Sequence, residues 1–375
     1  MFANKKIMMI ATTDNMIWQF LLPHIKYLQE KGNIVECVCA KTGFWFDELR
    51  DKYGLKVHEI DFGRNPLKFK NFGAYKKLKL LQKENKFDLI YCQQPVGGMM
   101  GRLLGKKFKL PVIYTAHGFH FFNGAPLVNR LVYKPVEKWL SKYTDILITI
   151  NEEDYQNALK MKAKNVFKIN GIGMEFKKYD IIEETRQEIR KSLGIKDDEF
   201  VIVTVAEFIK RKNYKTMINV IKGLKDKGVK VKFLICGRGQ DEEKIKQQII
   251  DLDIQEQVNI LGYRKDINRI LTGADVFMLT SFQEGLTLSV IEAMSYGLPC
   301  AVSNVRGNRD LIVDGQGGIV VDATNVDGFV DRIKELSNNV QLRAKMGEFN
   351  KEESKKYTIE TVLNQLAEIY GVIKW

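Results

Sequence analysis

Short apolar runs rich in β-branched residues alternate along the whole chain with longer stretches of helical period, and few architectures accommodate that alternation. In the first half the strand-like runs cover residues 7–11, 34–40, 56–60, 89–92, 112–116 and 146–150, with helical patterns at 17–30, 74–84, 98–108 and 127–141. The second half repeats the scheme, with strand-like runs at 201–206, 230–236, 258–261, 276–279, 300–303 and 318–321. Its helical patterns cover 214–227, 241–252, 266–273, 288–296 and 326–336, and 359–375 reads as a final amphipathic helix. Nearly continuous apolar strands separated by helices belong to parallel sheets buried on both faces. The expected fold class is α/β, with two Rossmann-like, doubly wound domains. A length of 375 residues supports two domains at about 150 residues each.

The break between the halves is expected at 170–186, where glycines and a charged run interrupt the alternation. Six of seven prolines precede it, which suggests a more irregular first domain. The division is therefore 1–172, 173–355 and a C-terminal helical segment, 356–375, that packs back on the first domain. Two such domains facing each other place the carboxyl ends of both sheets at one cleft, where ligands bind.

Charge separates the halves further. Residues 1–175 hold 28 Lys/Arg and 16 Asp/Glu, a net +12, while residues 176–375 hold 31 and 30, a net +1. A one-sided basic face suits an anionic membrane surface or an anionic substrate. No zinc-finger, RNP or basic-zipper pattern accompanies it, so nucleic acid is not an expected partner. No apolar run approaches the roughly 18 residues of a spanning helix, and the apolar stretch at 7–11 is too short for a secretory signal. Five cysteines without a paired framework read as reduced thiols in a cytoplasmic protein. Cys37 and Cys39 lie within a strand pattern and read as core, His24 and His58 as structural or surface residues, and Asp251-Leu252-Asp253 as a turn at a helix end.

The strongest local signal is Ser281-Phe282-Gln283-Glu284-Gly285-Leu286-Thr287-Leu288-Ser289, followed by Glu292. It leaves a strand and enters a helix. The amides of Thr287, Leu288 and Ser289 become donors at a helix N-terminus, which favours a phosphate or diphosphate. Acidic side chains on either side, Glu284 and Glu292, suit the hydroxyls of a nucleotide-sugar, although composition alone favours a capped helix with two surface glutamates.

Taken with its surroundings, this segment resembles the retaining glycosyltransferases of family 4, which have the GT-B fold, and among them the bacterial capsular and exopolysaccharide enzymes. The resemblance rests on Glu284-x7-Glu292, Gly297-Leu298-Pro299 and Asp314-Gly315-Gln316-Gly317-Gly318. Val205-Ala206-Glu207-Phe208-Ile209-Lys210-Arg211-Lys212-Asn213, Leu234-Ile235-Cys236-Gly237-Arg238-Gly239, Leu261-Gly262-Tyr263-Arg264-Lys265-Asp266 and His117-Gly118-Phe119-His120 follow it in order and spacing.

The resemblance implies a glycosyltransferase moving a sugar from a nucleotide-sugar, a UDP-sugar as first expectation, to a glycan or polyprenyl-linked acceptor. It implies retention at the anomeric carbon, no cofactor and no metal. Glu284 would hold hydroxyls of the transferred sugar and Glu292 the ribose. Lys212 and the amides of Thr287 and Leu288 would hold the diphosphate, Arg264 the base or its phosphates, and Arg211, Gly237, Gly285 and Leu286 would also line the donor site. His117 would touch the donor sugar near the reacting carbon. Asp14, Asn15 and His120 are candidates for the acceptor. One position departs from the family: Glu207 stands where many members have a diphosphate-binding arginine. Either Arg211, Lys210 or Arg238 substitutes, or the helix amides and Lys212 suffice. A nucleotide-sugar 2-epimerase of the same architecture and a sugar-nucleotide- or lipid-binding module without catalysis remain open, while an incomplete glycine fingerprint disfavours an NAD-dependent dehydrogenase.

Overall fold

A computed structural model describes residues 2–43, 45–63, 70–176 and 182–373. Part of the expected boundary segment (177–181), the last two residues of the expected final helix, and Pro66 lie outside the described residues. The chain divides into two compact units, Met1–Gly173 with Ile359–Trp375, and Met174–Thr358. Each is built on one parallel sheet, as the alternation requires.

The first sheet comprises β1 (Lys6–Thr13), β2 (Ile34–Ala40), β3 (Lys56–Glu59), β4 (Leu89–Gln93), β5 (Val112–Ala116), β6 (Ile146–Thr149) and β7 (Asn165–Lys168), in the order β3-β2-β1-β4-β5-β6-β7. β4, β5 and β6 are buried throughout, so their apolar residues follow one another without alternation. β7 was not expected: this four-residue edge strand, Asn-Val-Phe-Lys, is half exposed and carries no run long enough to read.

The helical pattern expected at 17–30 is divided. A π-turn over Ile17–Leu21 precedes the α-helix Leu22–Glu30, which has Pro23 in its first turn. Proline has no N–H to donate to the preceding turn, and a wider turn accommodates it. The helix Ile359–Tyr370 lies in this unit. Gln365 accepts a hydrogen bond from the Asn170 amide at 3.0 Å, and the Tyr370 ring meets those of Tyr91 and Phe2.

The helix Leu127–Leu140 is fastened by a charge. Arg102, fully buried, directs its guanidinium fork at Glu137 at 2.7 and 3.1 Å, donates from Nε to the Gly98 carbonyl and stacks 4.1 Å from the Tyr114 ring. Removing one partner of such a buried pair strands the other charge, so Glu137→Ala is expected to cost about 3–5 kcal/mol. Calorimetry should show this as a lowered transition for the first unit; an unchanged midpoint would contradict it.

The second sheet comprises β8 (Phe200–Val205), β9 (Val231–Cys236), β10 (Val258–Gly262), β11 (Val276–Leu279), β12 (Cys300–Ser303) and β13 (Gly318–Val321), in the order β10-β9-β8-β11-β12-β13. In both sheets the first strand of the unit pairs on one side with its successor and on the other with a later strand. This is the switch point at which α/β sheets open a crevice at their carboxyl ends. In the second unit it sets the loop after β8 beside the loop after β11, bringing together residues more than 70 positions apart. All five cysteines are buried and unpaired, Cys37 and Cys39 within β2. No helix among the described residues is long and apolar enough to cross a membrane.

Candidate functional site

The loop after β8 makes one tight turn, Lys210–Lys212, and passes through Asn213 in a left-handed conformation (φ 54°) before the helix Tyr214–Asp226. The Asn213 amide donates to the Thr280 carbonyl at 3.0 Å and to the Ala323 carbonyl at 2.8 Å, while the Thr280 hydroxyl donates back to the Asn213 carbonyl. These bonds tie the turn to the end of β11 and fix the root of Lys212.

Lys212 is buried, and its ammonium donates to Glu284 Oε1 at 2.7 Å. Arg211 donates to Glu284 Oε2 at 2.9 Å and to the Gln283 carbonyl at 2.9 Å. Glu284 is itself 5% exposed, so one buried carboxylate stands between two cations. A third cation escaped the sequence reading: Arg306, 4% exposed, donates from Nε to the Glu284 carbonyl at 3.1 Å. It belongs to the loop after β12, which the sheet order sets beside the loop after β11. The close approach is made at Gly307 (φ 79°), where a Cβ would stand 2.4 Å from the Gly285 carbonyl. Any side chain there would displace the loop that carries Glu284.

The helix Leu288–Ser295 begins at Thr287, whose backbone is extended and whose side chain does not cap it. The Thr287 hydroxyl turns to Asn308 Oδ1 at 2.9 Å instead, and the Asn308 amide reaches the Ser303 carbonyl. Asn308 was a second residue missed in sequence. Asn, Asp, Ser and Thr at this position ordinarily satisfy first-turn amides. Here the Thr287 side chain caps none of them, the arrangement found at anion-binding helix starts.

Gly237 and Arg264 lie at the carboxyl ends of β9 and β10. A Cβ on Gly237 would stand 1.9 Å from the Ala206 carbonyl, so the turn after β9 presses directly on the chain leaving β8. Glu292 is half-buried, and with Arg264 and Asp266 it acts on the Cys236 thiol, which burial above all raises to about 12. The structure thus gathers Glu292, Arg264 and Gly237 near the end of β9. Arg264 is held in a bidentate pair with Asp266 at 2.8 and 2.6 Å. Of the replacements considered for Glu207, Arg211 reaches Glu284, Lys210 is exposed, and Arg238 stacks 4.9 Å from the Tyr263 ring. Glu207 itself is exposed.

In the first unit a cavity of about 690 Å³ opens at the carboxyl ends of β1, β2, β4 and β5, lined by His117, His120, Gln94, Thr12, Thr42 and Tyr133 among others. Gln94 adopts φ 63° and ψ 163°, a conformation costly for any residue with a side chain, with its Oε1 accepting from the Thr12 amide and hydroxyl. Such strain is characteristic of functional sites, and nothing in the sequence marked it. His120 stacks on Tyr133 at 4.7 Å. Asp14 does not line this cavity. It is fully buried and receives the Thr42 amide at 3.1 Å, the Thr42 hydroxyl and the Asn15 amide, so its carboxylate joins the loops after β1 and β2. Neither does Asn15 line it. His24 is a buried structural group whose Nε2 donates to the Ile172 carbonyl at 2.6 Å, and His58 pairs with Glu36.

His117 Nε2 lies 2.8 Å from Gln93 Oε1. Burial first, and His24 second, lower its pKa to about 4, so the ring is neutral near pH 7. Below the unfolded value of 6.5 the unfolded chain takes a proton that the folded ring refuses. His117 should therefore withdraw about 3 kcal/mol of stability as pH falls from 6.5 to 4. Chemical denaturation of the parent and His117→Gln across that window checks this: the variant should lose less stability, and equal losses would contradict the assignment.

Among the described residues, no three His, Cys, Asp or Glu side chains gather as a metal-binding group. Asp253 ends its helix region at φ 52° with its carboxylate almost fully exposed.

Comparison with known proteins gives an independent view. Residues 185–353 match the family model of glycosyl transferases group 1, and residues 6–151 match that of glycosyl transferase 4-like domains. The EpsD protein of Bacillus subtilis (strain 168) is 32% identical over 373 residues, covering 98% of this chain and 96% of that protein. An Escherichia coli UDP-Gal:alpha-D-GlcNAc-diphosphoundecaprenol alpha-1,3-galactosyltransferase is 28% identical over 315 residues, covering 82% and 81%. The crystal structure of Anabaena Alr3699/HepE in complex with UDP and glucose superposes with a TM-score of 0.83 at 17% identity, covering 99% of this chain and 100% of that one, a likeness of fold.

Proposed function

The chain belongs to the glycosyl transferase group 1 family and is a glycosyltransferase, and from that premise we propose that it moves a sugar from a UDP-sugar to a hydroxyl of a polyprenyl-diphosphate-linked glycan acceptor. We assign retention at the anomeric carbon, no metal, and a cytoplasmic reaction, where nucleotide-sugars are made. The observation that carries the reading is the Glu284 carboxylate held by Lys212 and Arg211 beside a helix start that the Thr287 side chain leaves uncapped. Support for the donor and acceptor classes comes from the UDP and glucose of the Anabaena structure and the lipid-linked substrate in the name of the Escherichia coli relative.

The residues divide the work. Amides of Thr287 and Leu288, with Lys212, hold the diphosphate and stabilise the charge it gains. Glu284 accepts hydrogen bonds from sugar hydroxyls, and Glu292 from the ribose. The bond between the anomeric carbon and the diphosphate oxygen breaks, and its electron pair leaves with the phosphate. The acceptor hydroxyl then bonds to the oxocarbenium-like carbon from the same face, and its proton passes to the departing phosphate. In the first unit, the cavity with the neutral His117 receives the acceptor.

The test is UDP release from a panel of UDP-sugars, with and without a polyprenyl-diphosphate-linked sugar. Release that requires the acceptor, with the donor's anomeric configuration kept in the product by NMR, is expected. Epimerisation of the donor alone, or inversion in the product, would overturn the reading.

A further inference from the structure

The helix Leu127–Leu140 is attached to its unit with its apolar side outward. Asn129, Tyr133, Glu137 and Leu140 face inward, and the inward anchor is the Arg102–Glu137 ion pair. Leu127, Val128, Leu131, Val132, Val136 and Trp139 recur at helical spacing on the opposite side, all exposed, Leu131 by 74% and Leu127 by 73%. Burying that stripe in the unit and leaving the charge in water is the ordinary arrangement for a helix in a globular protein. A buried ion pair gives no stability advantage over an apolar contact, so folding alone does not account for the reversal. A continuous apolar face presented by a fixed helix marks a docking surface.

Charge identifies what docks there. Arg130, Lys134 and Lys138 form a row four residues apart along one edge of the apolar stripe, all exposed. From residue 103 to 144 the cations are Lys106, Lys107, Lys109, Arg130, Lys134, Lys138 and Lys142, and the one acid is Glu137, buried in its ion pair. Next to the helix end, Lys106 stands 5.8 Å from the Trp139 ring and 4.4 Å from that of Tyr143. Lys106, Lys109, Lys142, Tyr143 and Lys164 then line a cavity of about 400 Å³, in which Lys164 pairs with Asp145. An apolar stripe with an amphipathic tryptophan, edged by lysines whose stems reach past it, suits the boundary between acyl chains and headgroups. An acidic protein partner would answer the lysines but leave the leucine and valine face uncovered.

We infer that the helix Leu127–Leu140 lies in the surface of an anionic bilayer, its apolar stripe among the acyl chains and the Lys106–Lys142 cavity against lipid phosphates. The inference rests on the proposed function only for its purpose, bringing the enzyme to a lipid-linked acceptor.

Co-sedimentation of the full chain with vesicles containing about 30% phosphatidylglycerol, and with phosphatidylcholine alone, tests it. The expected preference for the anionic vesicles is about 10-fold or more, falling as salt is raised. Leu131→Glu with Val136→Glu should lower binding at least about 10-fold, since both charges would enter the apolar layer. Lys134→Glu with Lys138→Glu should remove the anionic preference. All of these residues are surface groups, so each variant should keep the parent's thermal shift with UDP; that readout separates failure of docking from failure of the donor reading. Equal sedimentation with both vesicle types, or wild-type binding by the Leu131/Val136 variant, would overturn the inference. So would a dimer in solution that this variant dissociates, which would assign the face to a second copy.

Discussion

Glu284→Gln is expected to lower kcat/KM about 10²–10³-fold, the loss found when one preorganised group facing the reacting centre is removed. The amide keeps the size of the side chain and loses its charge. Lys212, 2.7 Å away and 90% shielded in its side chain, and Arg211, 2.9 Å away, then lack their shared counter-charge. The second unit should therefore also lose stability, by about 3–5 kcal/mol if the pair behaves as a buried one; the 40% exposure of Arg211 moves the figure toward the lower end. Two roles are thus superimposed on one carboxylate, and a double variant separates them. Lys212→Met with Glu284→Leu removes both buried charges and should recover most of the lost stability while remaining inactive. Turnover by Glu284→Gln within about 3-fold of the parent, measured well below its melting transition, would reduce the residue to a structural ion pair.

Lys212→Met is expected to lower kcat about 10²-fold and to weaken UDP binding about 10-fold, while uridine, which has no phosphate, binds as before. The reasoning is electrostatic. The diphosphate gains charge as the sugar departs, and a shielded ammonium fixed by the Asn213 bonds stabilises that charge more than water does. Lys212→Arg should recover only part of the rate, because a planar fork does not reproduce a compact point charge at a site shaped for one. Equal weakening of uridine and UDP would assign Lys212 to loop structure alone.

Parallel strands buried on both faces produce unbroken apolar runs, which is why nearly every strand was legible in sequence. β7 was not, because an edge strand of Asn-Val-Phe-Lys satisfies only one side of its ladder and needs no such run. The division of 17–30 into a π-turn and a helix depended on how Pro23 is accommodated, which periodicity does not encode. In the site, the helix start and its flanking glutamates were readable because they are contiguous. Arg306 and Asn308 were not. They reach Glu284 and Thr287 only because β12 lies next to β11, and sheet order is a tertiary property. Asp14 shows the converse: the sequence makes it a candidate for the acceptor, whereas its carboxylate is held by Thr42, a residue of the neighbouring loop. The outward stripe of Leu127–Leu140 was equally hidden. An amphipathic pattern states that a helix has two faces but not which one its domain covers.

The central claim is that the nucleotide's diphosphate binds at the start of the helix Leu288–Ser295 beside Lys212. A crystal structure of the enzyme with UDP tests it most directly. The account predicts phosphate oxygens within hydrogen-bonding distance, about 3 Å, of the Thr287 or Leu288 amide and of Lys212 Nζ, with Glu292 facing the ribose. Phosphates bound away from that helix start, with Lys212 still closed on Glu284, would contradict it.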